Sequence, residues 1–268
     1  MLPHNIRIEH CRPFGICLEP WGGNTELSSL DTSVLRKFVL DHRVIVLRGF
    51  SPMSREEFEG YAAGWGDLLL WKFGAILDVV VDPQAVNYLF TNGSVPHHWD
   101  GAFAETVPFL QIFQCLAAPA EAGGETGAGG ETVFCDTTRL WAGATEEQQA
   151  RWAATTISYS TDKLAHYGGR ITANLVARHP ITGETTLRFA EPPDAQTAPL
   201  NPLSLEVEGD TLANLMKELQ PLLYAADNCY VHDWQEGDYV IADNHALLHA
   251  RHAFAANASR HLQRIHII

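Results

Sequence analysis

The chain has 268 residues, carries a formal net charge of −14 and is 46% hydrophobic. This length and composition indicate a globular protein that can bury a core without disulfide staples. The acidic charge argues against a nucleic acid or an anionic membrane as partner. The sequence has no apolar run long enough to cross a membrane and no basic-then-apolar N-terminus, so it predicts neither a membrane span nor a signal peptide.

The cysteines indicate the compartment. Their number is odd and no two of them form a C-x-x-C pair. This pattern is typical of reduced thiols, so we expect a cytoplasmic protein. The spacing leaves a pairing of Cys11 with Cys17 open. The five cysteines are Cys11, Cys17, Cys115, Cys135 and Cys229.

The N-terminal quarter predicts short strands alternating with helices. Residues 6–8 alternate apolar and basic side chains, which favours a strand. Residues 30–41 place apolar side chains at helical spacing, and residues 44–47 form a fully apolar strand. Residues 54–57 have the capping-box pattern that begins the next helix.

The region from residue 68 to residue 116 predicts strands. The runs at residues 76–81 and 86–90 are strand-like, and residues 110–116 form a core strand. A loop at residues 91–94 leads into the segment Pro96-His97-His98-Trp99-Asp100-Gly101. We place the aromatic side chains of this region in the core and not in a substrate wall: Tyr88, Trp99, Phe109 and Phe113.

A tandem duplication follows. Residues 122–127 read A-G-G-E-T-G and residues 128–133 read A-G-G-E-T-V. The first copy is predicted to be a solvated loop. The second copy runs directly into an apolar strand, so Thr132 is the better candidate for a site residue, while Glu131 is expected to stay solvated.

The next stretch mixes helices, strands and loops. Residues 159–174 are polar with two glycines, a composition that suits a lid over a site. Asp210 is predicted to cap a helix that runs to Leu223. The remaining predictions are helices at 137–144 and 145–154, strands at 175–178 and 185–189, and a Pro-rich loop at 191–202.

The C-terminal fifth reads W-Q-E-G-D-Y-V-I-A-D-N-H-A-L-L-H and ends in R-H-L-Q-R-I-H-I-I. A strand is predicted at residues 239–241, and Asp243-Asn244 ends it because their short side chains bond back to the local backbone. The closing strand is predicted at residues 262–268. Short strands alternating with turns suggest a mainly β protein, a double-stranded β-helix (jelly roll) flanked by helices. No change in composition divides the chain, so one domain is expected over residues 1–268.

A metal site is predicted from three residues. Side chains two apart in an extended segment point to the same face, so His98 and Asp100 can aim at one point. With the distant His249 they make the facial triad of two histidines and one carboxylate that binds Fe(II) and leaves positions open. Several other histidines lie beside these ligands. His97 has the wrong parity to join Asp100, and His245 need not face the metal because its surroundings look extended; His252 is the third neighbour.

These motifs resemble the taurine-dioxygenase-type (TauD/TfdA) Fe(II)- and 2-oxoglutarate-dependent oxygenases. The H-x-D, the D-N-x-x-x-x-H, the G-G-x-T at Thr132 and an arginine eleven residues past His249 all match. The resemblance implies that His98, Asp100 and His249 hold Fe(II). It also implies that Arg260 clamps the distal carboxylate of 2-oxoglutarate with help from Thr132, and that dioxygen is the second co-substrate.

A narrower resemblance is to the PvcB-type oxygenases of isonitrile biosynthesis. It rests on H-W-D-G, P-F-L-Q-I-F-Q-C, D-N-H-A-L-L-H and R-x-L-Q-R-I-H. It implies desaturation, with or without loss of the carboxylate, of an isocyanide derived from an aromatic amino acid. Arg264, four residues past Arg260, would hold the substrate anion. Asp100 argues against halogenation, since halogenating relatives lack that carboxylate.

Other functions remain open at this point. One is a 2-oxoglutarate-dependent hydroxylase of a free amino acid or another small carboxylic acid. A zinc hydrolase could use the same ligands, but it would leave Arg260 unexplained. A non-catalytic binding protein is the third alternative. The expected partner is a small carboxylic acid, and a homo-oligomer is left open.

Overall fold

Strands dominate the fold, with 34% of residues in strands and 21% in helices, as predicted. Among the described residues, no helix has the length and apolar character needed to cross a membrane. The computed structural model describes residues 2–22, 25–104, 106–119, 129–162, 169–195 and 198–268.

The larger of the two main sheets has seven strands in the spatial order β1-β2-β3-β14-β6-β16-β4. All neighbouring strands are antiparallel except β2 and β3, which are parallel. Its strands are β1 Ile6–His10, β2 Ile16–Pro20, β3 Val44–Leu47, β4 Leu77–Val80, β6 Leu110–Ala117, β14 Tyr239–Asp243 and β16 His261–Ile267.

The smaller main sheet has four antiparallel strands in the order β13-β7-β15-β5. Two lesser sheets, β12-β8-β9 and β10-β11, lie outside this pair. The remaining strands are β5 Val95–His98, β7 Thr132–Asp136, β8 Thr156–Thr161, β9 Gly169–Asn174, β10 Val176–Arg178, β11 Thr185–Leu187, β12 Ser204–Glu208, β13 Cys229–His232 and β15 Leu247–Arg251.

The core lies between the two main sheets and on both outer faces. In β3, Val44 and Val46 pack into the layer that also holds Phe134 and Leu247 of the smaller sheet. The alternate residues of β3 point the other way, toward the first two helices. This period of two, with both faces covered, explains why β3 reads as an unbroken apolar run.

Each α-helix begins at a side chain that accepts a backbone N–H. The predicted capping box at Ser54 is present, with its hydroxyl accepting from Glu57 N and the Glu57 carboxylate accepting from Ser54 N. The last helix is capped by Thr211 and not by Asp210, because Thr211 Oγ1 is the acceptor for Asn214 N. The helices are α1 Thr32–His42, α2 Arg55–Ala63, α3 Thr137–Gly143, α4 Glu146–Ala153 and α5 Leu212–Leu223.

Two local predictions are wrong. The run at residues 86–90 contains a 3-10 helix, Tyr88–Phe90, and no strand, because Asn87 Oδ1 accepts the Leu89 N–H and turns the chain. The predicted lid at residues 159–174 largely consists of β8 and β9, which pair with each other. Residues 163–168 between those strands lie outside the described residues, as does the first copy of the hexapeptide.

Candidate active site

The two predicted histidine ligands stand directly opposite each other. His98 ends β5, His249 lies in β15, and the two residues are partners in the antiparallel register. Their ring centroids are 4.2 Å apart. The pairing therefore brings together two imidazoles that are 151 residues apart in the chain (249 − 98 = 151).

Asp100 completes the group from the turn after β5. Its Oδ1 is 3.7 Å from His98 Nε2, and its Oδ2 is 3.7 Å from His249 Nε2. One ligand atom from each of the three residues lies within 4.8 Å of the other two. The structure thus brings the three predicted ligands around one point, where a single ion can contact all of them.

The second ring nitrogen of each histidine, Nδ1, lies next to a polar group of the protein. His98 Nδ1 lies 2.8 Å from Pro96 O, a contact in which the ring N–H donates to the carbonyl. This fixes the tautomer and leaves the Nε2 lone pair for a metal. His249 Nε2 lies 3.7 Å from Asp100 Oδ2, and its Nδ1 lies 3.4 Å from the side-chain amide of Gln111.

The charges at the triad suit a divalent cation. Burial lowers the pKa of His98 and lowers that of His249 well below its usual value, so both rings are neutral. Burial alone would raise the pKa of Asp100, but the charge of Arg264 and then the contact with His266 outweigh it and hold that pKa well below its usual range. Two neutral imidazoles and one carboxylate are the ligand set that non-haem Fe(II) sites use.

Asn244 fixes the backbone that carries Asp100. Its Oδ1 accepts from Asp100 N at 3.0 Å, and its Nδ2 donates to Asp100 O at 3.0 Å and to Pro108 O at 2.9 Å. The prediction that Asn244 bonds to its local backbone is therefore wrong. Asp243 does behave as predicted, since its Oδ1 accepts from His245 N and Ala246 N.

Arg264 and His266 hold the Asp100 carboxylate. Arg264 Nη1 donates to Asp100 Oδ2 at 2.6 Å, and His266 Nε2 lies 2.8 Å from the same oxygen. The sequence reasoning missed His266. The available signal was parity, because His266 lies two residues past Arg264 on β16 and so shares its face.

A cavity on one side of the triad contains both residues predicted to bind 2-oxoglutarate. His98 and His249 form part of its wall together with Thr132 and Arg260. Gly130 precedes this site with φ +82°, and a Cβ there would lie 3.2 Å from Arg260 Cδ. The G-G-x-T pattern therefore lets the loop pass close to the arginine.

Arg260 is a buried cation that forms no salt bridge among the described residues. Its Nε donates to Gly130 O at 3.1 Å, and within the described parts of the chain no carboxylate forms a salt bridge with it. Burial, followed by the charge of Arg251, lowers the pKa of Arg260 to about 9. A buried guanidinium left uncompensated is costly, so this cavity is suited to an anionic ligand. Thr132 Oγ1 accepts from Trp234 Nε1 at 3.0 Å.

A second cavity, with a volume of about 140 Å³, also borders the triad. Arg264 borders both cavities. Tyr88, which was predicted to lie in the core, belongs to the wall of this second cavity, and burial raises its pKa to about 12. The wall consists of Asn87, Tyr88, Leu89, Pro96, His98, Asp100, Gly101, Ala102, Phe103, Thr161, Ala190, Glu191, Pro193, Asn201, Pro202, Leu203 and Arg264.

The neighbouring histidines are engaged elsewhere. His97 is fully buried on the opposite face of β5, where its Nδ1 lies 3.4 Å from Glu191 Oε2. Arg188 Nη2 donates to His245 Nδ1 at 2.7 Å. His252 Nδ1 lies 3.1 Å from Glu131 Oε2, so Glu131 is paired and not simply solvated.

The family model described as "Taurine catabolism dioxygenase TauD, TfdA family" matches residues 16–266. The chain belongs to this family. The TauD/TfdA match covers every residue of the triad and begins at β2, so β1 lies outside it. The chain is therefore an enzyme, a dioxygenase of the TauD/TfdA type.

Two curated members of known activity are similar over nearly the whole chain. A 3-((Z)-2-isocyanoethenyl)-1H-indole synthase from Fischerella ambigua is 50% identical over 264 residues, which cover 97% of this chain and 95% of that protein. A tyrosine isonitrile desaturase from Pseudomonas aeruginosa is 36% identical over 259 residues, covering 95% of this chain and 87% of the relative.

A solved structure has the same fold. PvcB, described as an Fe, alpha-ketoglutarate dependent oxygenase from an isonitrile synthetic pathway, superposes with a TM-score of 0.81 at 32% identity. The match covers 100% of this chain and 93% of PvcB. The predicted jelly-roll class is confirmed.

Proposed function

We propose that the protein is an Fe(II)- and 2-oxoglutarate-dependent oxygenase of isonitrile biosynthesis that desaturates an isocyanide derived from an aromatic amino acid. The observation that carries the proposal is the meeting of two cavities at one triad. One cavity has a buried cation, Arg260, that forms no salt bridge with a described residue, and the other has a largely apolar wall that includes Arg264. An anionic co-substrate and an aromatic acid can thus approach the same ion from two sides.

His98, Asp100 and His249 would hold the iron. Their donor atoms converge and their charges suit a divalent cation. Pro96 O accepts from the His98 ring, and Arg264 donates to the Asp100 carboxylate. When bound, the iron couples the oxidative decarboxylation of 2-oxoglutarate by dioxygen to the removal of hydrogen from the substrate.

Arg260 would bind the distal carboxylate of 2-oxoglutarate. The guanidinium keeps its two terminal nitrogens unused by the described residues, since its one hydrogen bond comes from Nε. A planar fork of this kind binds a carboxylate bidentately. Thr132 adds a hydroxyl beside it that already accepts from Trp234 and keeps its own O–H to donate.

The relatives suggest the substrate class. Identity is higher to the indole enzyme than to the tyrosine-isonitrile enzyme, at 50% against 36%, which favours the isocyanide of tryptophan over that of tyrosine. Removal of two hydrogens gives an alkene together with succinate, CO2 and water. If the carboxylate of the substrate also leaves, a second CO2 is released and the electron count is unchanged.

The test is incubation of the iron-loaded enzyme with 2-oxoglutarate, dioxygen and one candidate at a time. The candidates are isocyano-tryptophan, isocyano-tyrosine and the two parent amino acids, with products read by mass. We expect loss of two hydrogens, or of two hydrogens and CO2, from an isocyano acid. Addition of one oxygen to a free amino acid would show a hydroxylase instead.

Two further proposals concern the molecule as a whole. We propose that residues 1–268 form one oxygenase domain, because β1 and β16, from opposite ends of the chain, lie in the same sheet. A cytoplasmic location is supported by the five cysteines, all of which are free thiols.

A further inference from the structure

The backbone of Tyr88 is held from two sides next to the triad. Its N–H donates to Asn201 Oδ1 at 2.9 Å, and its carbonyl accepts from Arg251 Nη2 at 3.1 Å. Arg251 lies two residues past His249 on β15, so the strand that carries a metal ligand also fixes the position of Tyr88.

Arg251 donates hydrogen bonds to several other carbonyls of the same segment. Its guanidinium also donates to the carbonyls of Leu89, Thr91 and Gly93 at distances between 2.6 and 3.2 Å. A buried arginine that donates to four carbonyls within six residues holds the backbone of that segment in one conformation. The backbone of Tyr88 is therefore fixed in the wall of the cavity that His98 and Asp100 also line.

The hydroxyl of Tyr88 has no hydrogen-bond partner in the parts of the chain that the structure describes. The side chain is half-buried in the cavity wall, so its hydroxyl can donate to a ligand in that cavity. The hydroxyls of Tyr159, Tyr224 and Tyr239 each contact a protein group. Tyr61 also lacks a partner, but it lies in a different groove, away from the triad.

Arg264 presents unused donors to the same cavity. Its Nη1 donates to Asp100, whereas its Nη2 has no partner among the described residues. The cavity end beside the triad therefore offers a phenol O–H and a guanidinium. The nearby carboxylate, Asp100, is already a predicted metal ligand. The Tyr88 hydroxyl and the Arg264 guanidinium are hydrogen-bond donors in the wall of the same cavity, and such donors suit a bound anion.

We propose that Tyr88 is a substrate-binding residue whose hydroxyl donates a hydrogen bond to the carboxylate of the isocyano acid, beside Arg264. This inference rests on the proposed function and deepens it. It requires a substrate with a free carboxylate on the carbon that bears the isocyano group. The aromatic ring of that substrate would lie against the apolar wall. Because Arg251 holds the backbone of Tyr88 before the substrate arrives, less binding free energy is lost in ordering this segment.

The test combines one protein change with one ligand change. Dissociation constants are measured without dioxygen, on enzyme loaded with iron and 2-oxoglutarate, for isocyano-tryptophan and for its methyl ester. Tyr88→Phe should weaken binding of the acid about ten-fold or more, because the lost hydrogen bond is to a charged group. Binding of the ester should change less than about two-fold. Tyr61→Phe is the matched control and should change neither constant.

The outcomes distinguish failure of the role of Tyr88 from failure of the proposed function. Equal weakening of acid and ester, or no weakening of either, overturns the role of Tyr88 while leaving wild-type turnover intact. A wild-type enzyme that neither binds nor converts any isocyano acid would defeat the proposed function, and this inference with it. An unchanged affinity of Tyr88→Phe for 2-oxoglutarate shows that the variant is folded at the triad.

Discussion

Arg264 donates a 2.6 Å hydrogen bond to Oδ2 of Asp100, and both side chains are buried. The arginine that the sequence assigns to the substrate is thus also a partner of a metal ligand. It can do both because a guanidinium has five N–H donors and this contact uses one nitrogen. Substrate binding and metal binding are therefore expected to be coupled at this residue.

Replacing Arg264 should consequently affect two affinities. Arg264→Ala should weaken use of the isocyano acid and also lower iron affinity about 10-fold to 100-fold, as loss of a group behind a metal ligand typically does. Affinity for 2-oxoglutarate should change little, and succinate formed without product should rise. The measurements are iron content after gel filtration, substrate KM and the succinate-to-product ratio. Arg178→Ala, at an exposed arginine, is the control. Unchanged iron affinity would mean that the contact with Asp100 does not support the metal.

The triad itself is tested by comparing adjacent histidines. His98→Ala and His249→Ala should each abolish iron retention and dioxygen consumption. Asp100→Ala should lose activity but keep weak iron binding, because two imidazoles remain. His97→Ala should retain iron, since its ring lies on the opposite face of β5 against Glu191. Loss of iron from the His97 variant with retention in the His98 variant would reverse the assignment.

The 2-oxoglutarate site is tested at Arg260. Arg260→Ala should cost on the order of 2–5 kcal/mol of binding free energy, the range for a buried charged partner, seen as a large rise in the 2-oxoglutarate requirement. Substrate affinity measured at saturating 2-oxoglutarate should remain close to that of the wild type. Unchanged 2-oxoglutarate affinity in this variant would mean that another cation binds the distal carboxylate.

Thr132→Val should weaken 2-oxoglutarate binding by about 1 kcal/mol. It should also lower the free energy of unfolding by roughly 1–3 kcal/mol, because Trp234 Nε1 then loses its acceptor in a buried position. Calorimetry with 2-oxoglutarate and urea unfolding measure the two effects separately. Thr132→Ser keeps the hydroxyl and should retain most of the affinity.

Asp238 predicts how stability depends on pH. Its carboxylate accepts from Arg48 Nε at 2.8 Å and Nη2 at 2.7 Å, and His232 Nε2 lies 3.2 Å away. Burial would raise the pKa of Asp238, but Arg48 and His232 lower it below its usual value. Its contribution to stability is therefore present above the unfolded pKa, about 4, and is lost as the pH falls through the lower folded value.

Asp238→Asn should lower the free energy of unfolding at pH 7 by about 3–5 kcal/mol, because it leaves the partly buried Arg48 without its anion. The variant should also lose less stability than the wild type between about pH 4 and the lower folded pKa of Asp238. Urea unfolding at a series of pH values measures both effects. Glu236→Gln, at an exposed neighbouring carboxylate, is the control. Identical acid sensitivity of the wild type and Asp238→Asn would contradict the assignment.

Local geometry made much of the fold and the candidate ligands predictable. The parity of an extended chain puts His98 and Asp100 on one face, and the capping box at Ser54 needs only four consecutive residues. Apolar periodicity located most long elements, such as α1 and β6. Where a polar side chain redirected the backbone, as Asn87 does before the 3-10 helix, periodicity alone failed.

The tertiary structure alone decided the partners that lie far apart in the chain. Asn244 holds Asp100 from 144 residues away, and His266 reaches it across 166 residues. These contacts depend on the register of β16 against β6 and on how the turn after β5 meets the turn after β14, and no local sequence pattern encodes either. The same holds for Tyr88, which sequence placed in the core. Its position in the cavity wall follows from the hydrogen bonds of Arg251 and Asn201 to its backbone.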